Sequence, residues 1–397
     1  MPIYKQVGHI PNKRHIVFRN KNGNLLHEEL VGTEGFSGLS TLAYHLYPPT
    51  MVKEMGTPYS VRPTIAVEDN LQARSYLTMD ALPMDDYLES RTILFVNDDL
   101  TIGTAAPKQS MTDYFFKNAD ADELIFIHEG NGKLTTMFGS IDFAFGDYLI
   151  IPRGTVYQIK FENAHNRMLI IESFSPIETP TRYRNNYGQF LEHAPFCERD
   201  IKLPSNLETH DVQGEFLIKI KKCGLIYPYV YQNHPFDLVG YDGYCFPYSF
   251  SIFNFEPITG RIHMPPPIHQ TFQGNNFVIC SFVPRLYDYH PQAIPAPYHH
   301  SNIDSDELLY YVAGDFMSRN DIQKGQITLH PAGIPHGPHP GAIERSIGKT
   351  ETNELAVMID PFNPVKITEE AMKLEMRQYY HSWSKPQQKS NGQPHSI

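Results

Sequence analysis

Residues 146–154 read GDYLIIPRG and residues 325–333 read GQITLHPAG. In each, a glycine is followed by five residues, a proline, one residue and a second glycine. Upstream of each lies a glutamate followed by six residues and a glycine: Glu123 to Gly130, and Glu307 to Gly314. Glycine and proline at fixed offsets set tight turns, so this skeleton prescribes short strands folded back on one another. Its recurrence prescribes the same small barrel twice.

The runs between the turns agree. DELIFIHEG, IDFAFGDYLIIPRG and RMLIIESF are β-branched and aromatic, with glycines and charged turns between them. The expected fold is mainly β, with two jelly-roll-like barrels in one chain. The first domain spans residues 1–205 with a core at about 113–175, and the second spans 206–397 with a core at about 284–345. Strand pairing in residues 1–100 is not legible. Thr368-Glu369-Glu370 opens a C-terminal helix, and Met372, Met376, Tyr379 and Trp383 fall on one face of it at helical spacing. A polar, frayed tail is expected from Lys385.

Composition excludes several classes. A net charge of -11 argues against a sequence-independent grip on nucleic acid or an anionic membrane. No stretch of 18 apolar residues is present, so no spanning helix is expected. The N-terminus lacks a signal-peptide core, and Cys197, Cys223, Cys245 and Cys280 form no CxxC pair. They read as reduced, mostly buried thiols of a cytosolic protein.

The two copies of the skeleton differ in their ligands. The second resembles the paired motifs of the cupins, with His300 seven residues before Glu307 and His336 three after Gly333. In the first copy, Phe116 and Tyr157 stand where His300 and His336 stand in the second. One barrel is therefore expected to hold a metal and the other to be metal-free. Two imidazoles and a carboxylate on one face of a metal leave positions open, which suits Fe(II) in oxygen chemistry. Zn(II) or Mn(II) in an isomerase or hydrolase is an alternative, and a non-catalytic cupin another. His299 would point to the opposite face of an extended strand from His300. His330 is expected either beside the metal or facing substrate, or as a structural core histidine, and His339 at the rim.

Further segments resemble the homogentisate 1,2-dioxygenase family: EELVG (28–32), KNADADELI (117–125), PAPYHHSN (295–302), IPHGPH (334–339) and YYHSW (379–383). The resemblance implies an Fe(II) enzyme that opens the ring of homogentisate with O2 to give maleylacetoacetate, in tyrosine and phenylalanine catabolism. It implies His300, Glu307 and His336 as ligands and His330 as a substrate-contacting histidine. It also implies a homo-oligomer, trimeric or hexameric. Three departures stand out. An extra residue separates His300 from Glu307. The family's VGWHG, whose histidine is implied as acid/base, is here VGYDG, which places Asp242 in that role. The family tyrosine nine residues after the ligand glutamate is here Phe316, which cannot hydrogen-bond. These open the alternative of another hydroquinone or hydroxylated aromatic acid as substrate.

Overall fold

The computed structural model describes residues 3–319 and 322–384. The architecture is mainly β, with two short α-helices at Ala342–Ser346 and Glu369–Lys373 among the described residues. None of the helices described is long and apolar enough to cross a membrane.

The first copy of the skeleton forms a sandwich. One layer runs Asp147–Ile151, Asp122–Glu129, Arg167–Ser173, Leu100–Ala105, Arg91–Val96, each antiparallel to the next. The facing layer runs Gly139–Phe143, Gly132–Thr136, Val156–Phe161, Phe115–Asn118. Between them Ile125, Ile127, Leu149 and Ile170 meet Leu134, Ile141 and Ile159. The other face of the first layer is buried too, because Leu124, Phe126, Tyr148 and Leu169 join a second core with Leu308, Tyr310, Val357 and Ile359. Burial on both faces explains why DELIFIHE is apolar almost without alternation.

The second copy builds a six-stranded antiparallel sheet in the order Gln270–Gly274, Phe277–Phe282, Leu355–Pro361, Glu307–Ala313, Gln326–His330, Arg74–Leu77. Its edge strand comes from the first hundred residues. Other strands also cross residue 205: Gln213–Lys222 pairs in parallel with Phe115–Asn118, and Tyr248–Ser251 pairs with Asp147–Ile151. Leu238–Gly243 lies between Lys5–Gly8 and Ser40–His45. These long-range pairings carry no local signal, which is why residues 1–100 could not be paired from sequence.

The C-terminal helix departs from expectation. Thr368 caps it as predicted, its side chain accepting a hydrogen bond from the Ala371 backbone N–H. The helix then stops at Lys373, and a 3-10 turn at Tyr379–Trp383 follows. The backbone between them is drawn off by the neighbouring strand: Glu375 bridges to Tyr76, and the Met376 N–H donates to the Ser75 carbonyl at 2.8 Å. The tail from Lys385 lies outside the described residues. The four cysteines are free; Cys245 and Cys280 are buried, but Cys223 is exposed and Cys197 intermediate.

One buried ion pair ties the N-terminal sheet to the turn before Leu238. His45 meets Asp237 through Nδ1 at 2.6 Å and Glu29 through Nε2 at 3.0 Å. Burial alone would lower the imidazole pKa, but the two carboxylates outweigh it and push it up to about 9. A raised pKa stabilises the fold fully below the unfolded value of 6.5 and loses that contribution as pH rises through about 9. Unfolding free energy is expected to fall by roughly 3 kcal/mol across that window, at 1.36 kcal/mol per unit. Urea titrations across the same window should show a flatter pH dependence for His45→Gln. Identical slopes in wild type and variant would sink the assignment.

Candidate metal centre

The strand Glu307–Ala313 lies between Gln326–His330 and Leu355–Pro361, and Glu307 opens it opposite His330. His300 and His336 lie on loops, joined by an isolated bridge in which each backbone N–H donates to the other's carbonyl at 2.9 Å. The Gly325 turn (φ 71°) and the Gly333 turn (φ 77°) bring His336 back over the sheet, in a left-handed backbone that favours glycine.

Three side chains converge there. One nitrogen from each of His300 and His336 and one Glu307 oxygen lie within 4.8 Å of one another, the only such group among the described residues. Each imidazole Nε2 is 3.4 Å from Glu307 Oε2. The Nδ1 atoms face backbone carbonyls, Tyr298 O at 3.3 Å for His300 and Ile334 O at 3.1 Å for His336. Nδ1–H donation to those carbonyls leaves the Nε2 lone pairs free and aimed at the carboxylate. His336 Nε2 is buried without a hydrogen-bond partner. A buried acceptor left bare beside two other acceptors fits a cation between them. Burial would raise the Glu307 carboxyl pKa, but the three imidazoles around it, His300, His330 and His336, hold it well below the usual carboxylate range.

His330 is 1% exposed, stacks on His336 with ring centroids 4.5 Å apart, and meets Glu307 Oε1 through Nδ1 at 3.1 Å. Burial pushes its pKa down to about 4, so it is neutral and holds the carboxylate oxygen that faces away from the two Nε2 atoms. His299 is exposed and outside the cluster. His339, expected at the rim, is instead buried against Trp383, with ring centroids 4.6 Å apart.

The cluster opens on a cavity of about 460 Å³, room for a substituted aromatic ring. His300, Glu307 and Phe316 line it. His330 and His336 instead border a smaller depression of about 270 Å³ beside Trp383. Asp242 is not brought to either cavity. It sits in the strand Leu238–Gly243 between Gln6 and Leu42, where the Tyr4 hydroxyl donates to its Oδ2 at 3.0 Å. One of two histidines on the cavity wall outside the cluster is His263, whose Nδ1 is 3.4 Å from Asp288 Oδ2 and whose ring packs on Tyr298. His269 lines the wall as well, but its backbone places it at a buried 3-10 turn against Phe282. The sequence signal for His263 is weak: a lone histidine opening HMPPPIH, without metal-ligand spacing.

The first barrel repeats this geometry without imidazoles. Phe116 pairs with Tyr157 as His300 pairs with His336, and Glu123 faces Ile151 as Glu307 faces His330. The Tyr157 hydroxyl donates to Glu123 Oε2 at 2.7 Å. The Arg91 guanidinium bridges Glu123 at 3.0 Å and Glu172 at 2.9 Å.

The sequence model described as homogentisate 1,2-dioxygenase N-terminal matches residues 90–252. A protein of Saccharolobus solfataricus, named as an inferred dioxygenase, is 41% identical over 96% of this chain and 99% of its own. The homogentisate 1,2-dioxygenase of Bradyrhizobium diazoefficiens is 27% identical over 66% of this chain and 60% of its own. The chain belongs to the homogentisate 1,2-dioxygenase family. That of Sinorhizobium fredii is 26% identical over 77% of this chain and 71% of its own. Membership of this dioxygenase family makes the chain an oxidoreductase, and the His/Glu cluster is where a metal fits. A cupin barrel protein from Leptotrichia buccalis superposes with a TM-score of 0.30 at 12% identity, over 79% of this chain and all of its own, a likeness too slight to add to this.

Proposed function

We propose that the chain is an Fe(II)-dependent ring-cleaving dioxygenase that opens homogentisate, or a close hydroxylated aromatic acid, with O2. The observation that carries this reading is the convergence of two Nε2 lone pairs and a Glu307 oxygen in a cluster whose His300 and Glu307 line a ring-sized cavity. His300, Glu307 and His336 would hold the metal. When bound, Fe(II) supplies the one-electron chemistry that lets O2 react with an aromatic ring, and open positions for both. With homogentisate, the product would be maleylacetoacetate, in tyrosine and phenylalanine catabolism. A cytoplasmic homo-oligomer, trimeric or hexameric, accompanies this reading.

The chain's own residues do the rest. Tyr298 and Ile334 carbonyls fix the two imidazoles, and His330 fixes the carboxylate, so the donor set is arranged before metal arrives. His263 takes the acid/base role that the sequence assigned to Asp242: with Nδ1 toward Asp288, its Nε2 is the atom to accept a phenolic proton. Met317, Phe316 and Leu309 supply apolar wall for the ring.

Protein loaded anaerobically with Fe(II) is expected to take up O2 on addition of homogentisate, with absorbance from the ring-opened product. Stoichiometric uptake supports homogentisate. Phe316, at the family's tyrosine position, favours a second reading in which uptake occurs only with another hydroquinone or hydroxylated aromatic acid. Iron-loaded protein that consumes no O2 with any of these, or turns over with zinc alone and no O2, would overturn the dioxygenase reading.

A further inference from the structure

The cavity beside the metal cluster has an imbalance of charge that the ligand set does not use. Arg285 on its wall is paired with Glu354 at 2.8 Å, and His263 faces Asp288 at 3.4 Å. Arg319 lines the same wall and forms no ion pair with a carboxylate among the described residues. Its Nη1 donates to two backbone carbonyls, Gly337 O at 2.7 Å and Ser318 O at 3.3 Å, and its Nε is buried without a hydrogen-bond partner. The guanidinium lies over the Trp383 ring, 5.8 Å from its centroid.

The acids on this wall do not neutralise it. Glu307 belongs to the metal cluster, and Glu354 is already paired. Asp360 lines the wall as well and forms no ion pair with Arg319 among the described residues. A guanidinium that no carboxylate pairs among the described residues and whose Nε lacks a hydrogen-bond partner, in a cavity lined by Phe316, Met317 and Leu309, is a site for an anionic group carried on an apolar ring.

We propose that Arg319 binds the carboxylate of the aromatic acid substrate and so sets the preference for a charged over a neutral ring. This rests on the proposed function only in placing the substrate in this cavity. It answers the loss of the family tyrosine at Phe316: the hydrogen-bonding group is supplied three residues further on, by a cation. The substrate class that follows is a hydroxyaryl carboxylate.

Binding, without turnover, tests it. Trp383 is the chain's single tryptophan and touches Arg319, so its emission reports occupancy. Phenylacetate and its neutral isostere phenylacetamide would be titrated into anaerobic Fe(II)-loaded protein and into metal-free protein, with calorimetry in parallel. Wild type is expected to bind phenylacetate at least about tenfold more tightly than the amide, the worth of one charge-assisted hydrogen bond. Arg319→Met should abolish that preference while leaving amide affinity unchanged, and Arg319→Lys should restore part of it. Phenylacetate that fails to bind wild type overturns the proposal. So does equal weakening of both ligands in Arg319→Met, or no change in either. If the preference for phenylacetate holds but no hydroxylated aromatic acid drives O2 uptake, the dioxygenase reading has failed and the carboxylate site has not.

Discussion

Glu307→Ala is expected to abolish O2 uptake, to below about 1% of wild type, and to remove bound metal with it. Loss of groups that only orient ligands already costs about 10–100-fold, and this change removes a ligand itself. Glu307 is the one member of the cluster that meets all three histidines: Oε2 faces His300 and His336 at 3.4 Å, and Oε1 meets His330 at 3.1 Å. Without its charge, two neutral imidazoles remain, a set that holds a hard divalent cation poorly. His336→Ala should behave the same way. His330→Gln should retain metal with weakened affinity, because it removes the orienting contact and not a ligand. Metal analysis after dialysis, run beside oxygen-electrode traces, separates the cases. Full metal content in Glu307→Ala would place the metal elsewhere.

The second large effect is expected in the first barrel, and it is one of stability. Arg91, Glu123 and Glu172 have side chains 9%, 0% and 1% exposed. Lys221 also donates to Glu172 at 2.6 Å, and Asn118 at 2.7 Å. Burial would raise the Glu172 pKa, but Arg91 and Lys221 hold it well below the usual carboxylate range, while burial beside Glu172 pushes Glu123 up. Arg91→Met strips Glu123 and Glu172 of their shared cation inside the protein. Breaking a buried pair in this way costs about 3–5 kcal/mol, because the remaining charge is stranded. The urea midpoint should fall accordingly with the m-value unchanged. Arg91→Met combined with Glu123→Leu should recover much of the loss, since an apolar replacement leaves less charge to bury. A single variant as stable as wild type would show that the network contributes little. Iron-loaded protein should meanwhile hold one metal per chain, and two would contradict the reading of this barrel as occupied by Arg91.

Much of this protein was legible in its sequence because the signals are local. The skeleton of glutamate, glycine and proline reports turns, and turns are decided by a few adjacent residues. The correspondence of Phe116 with His300 and Tyr157 with His336 was countable along the chain, and it reappears as matching strand partners. His300, Glu307 and His336 could be picked from among 19 histidines and 44 acids by the same counting. The Thr368 cap was equally local.

What the sequence did not carry depends on distance. Asp242 sits in a strand resembling the family's segment, yet that strand pairs with Lys5–Gly8 and Ser40–His45, away from the cavity. His263 and Arg319 follow no ligand spacing; they matter because loops distant in sequence close on one cavity. Arg91 looked like any strand arginine until folding set it between Glu123 and Glu172. The C-terminal helix had the right periodicity, but a strand edge at Ser75 and Tyr76 offered its backbone other partners. Turn chemistry and metal-ligand spacing are properties of neighbours along the chain, so the sequence alone determined the barrels and picked out the candidate ligand trio. Which charge is left unpaired, and which side chain faces the substrate cavity, depend on what packs against them, and that was decided only when the sheets came together.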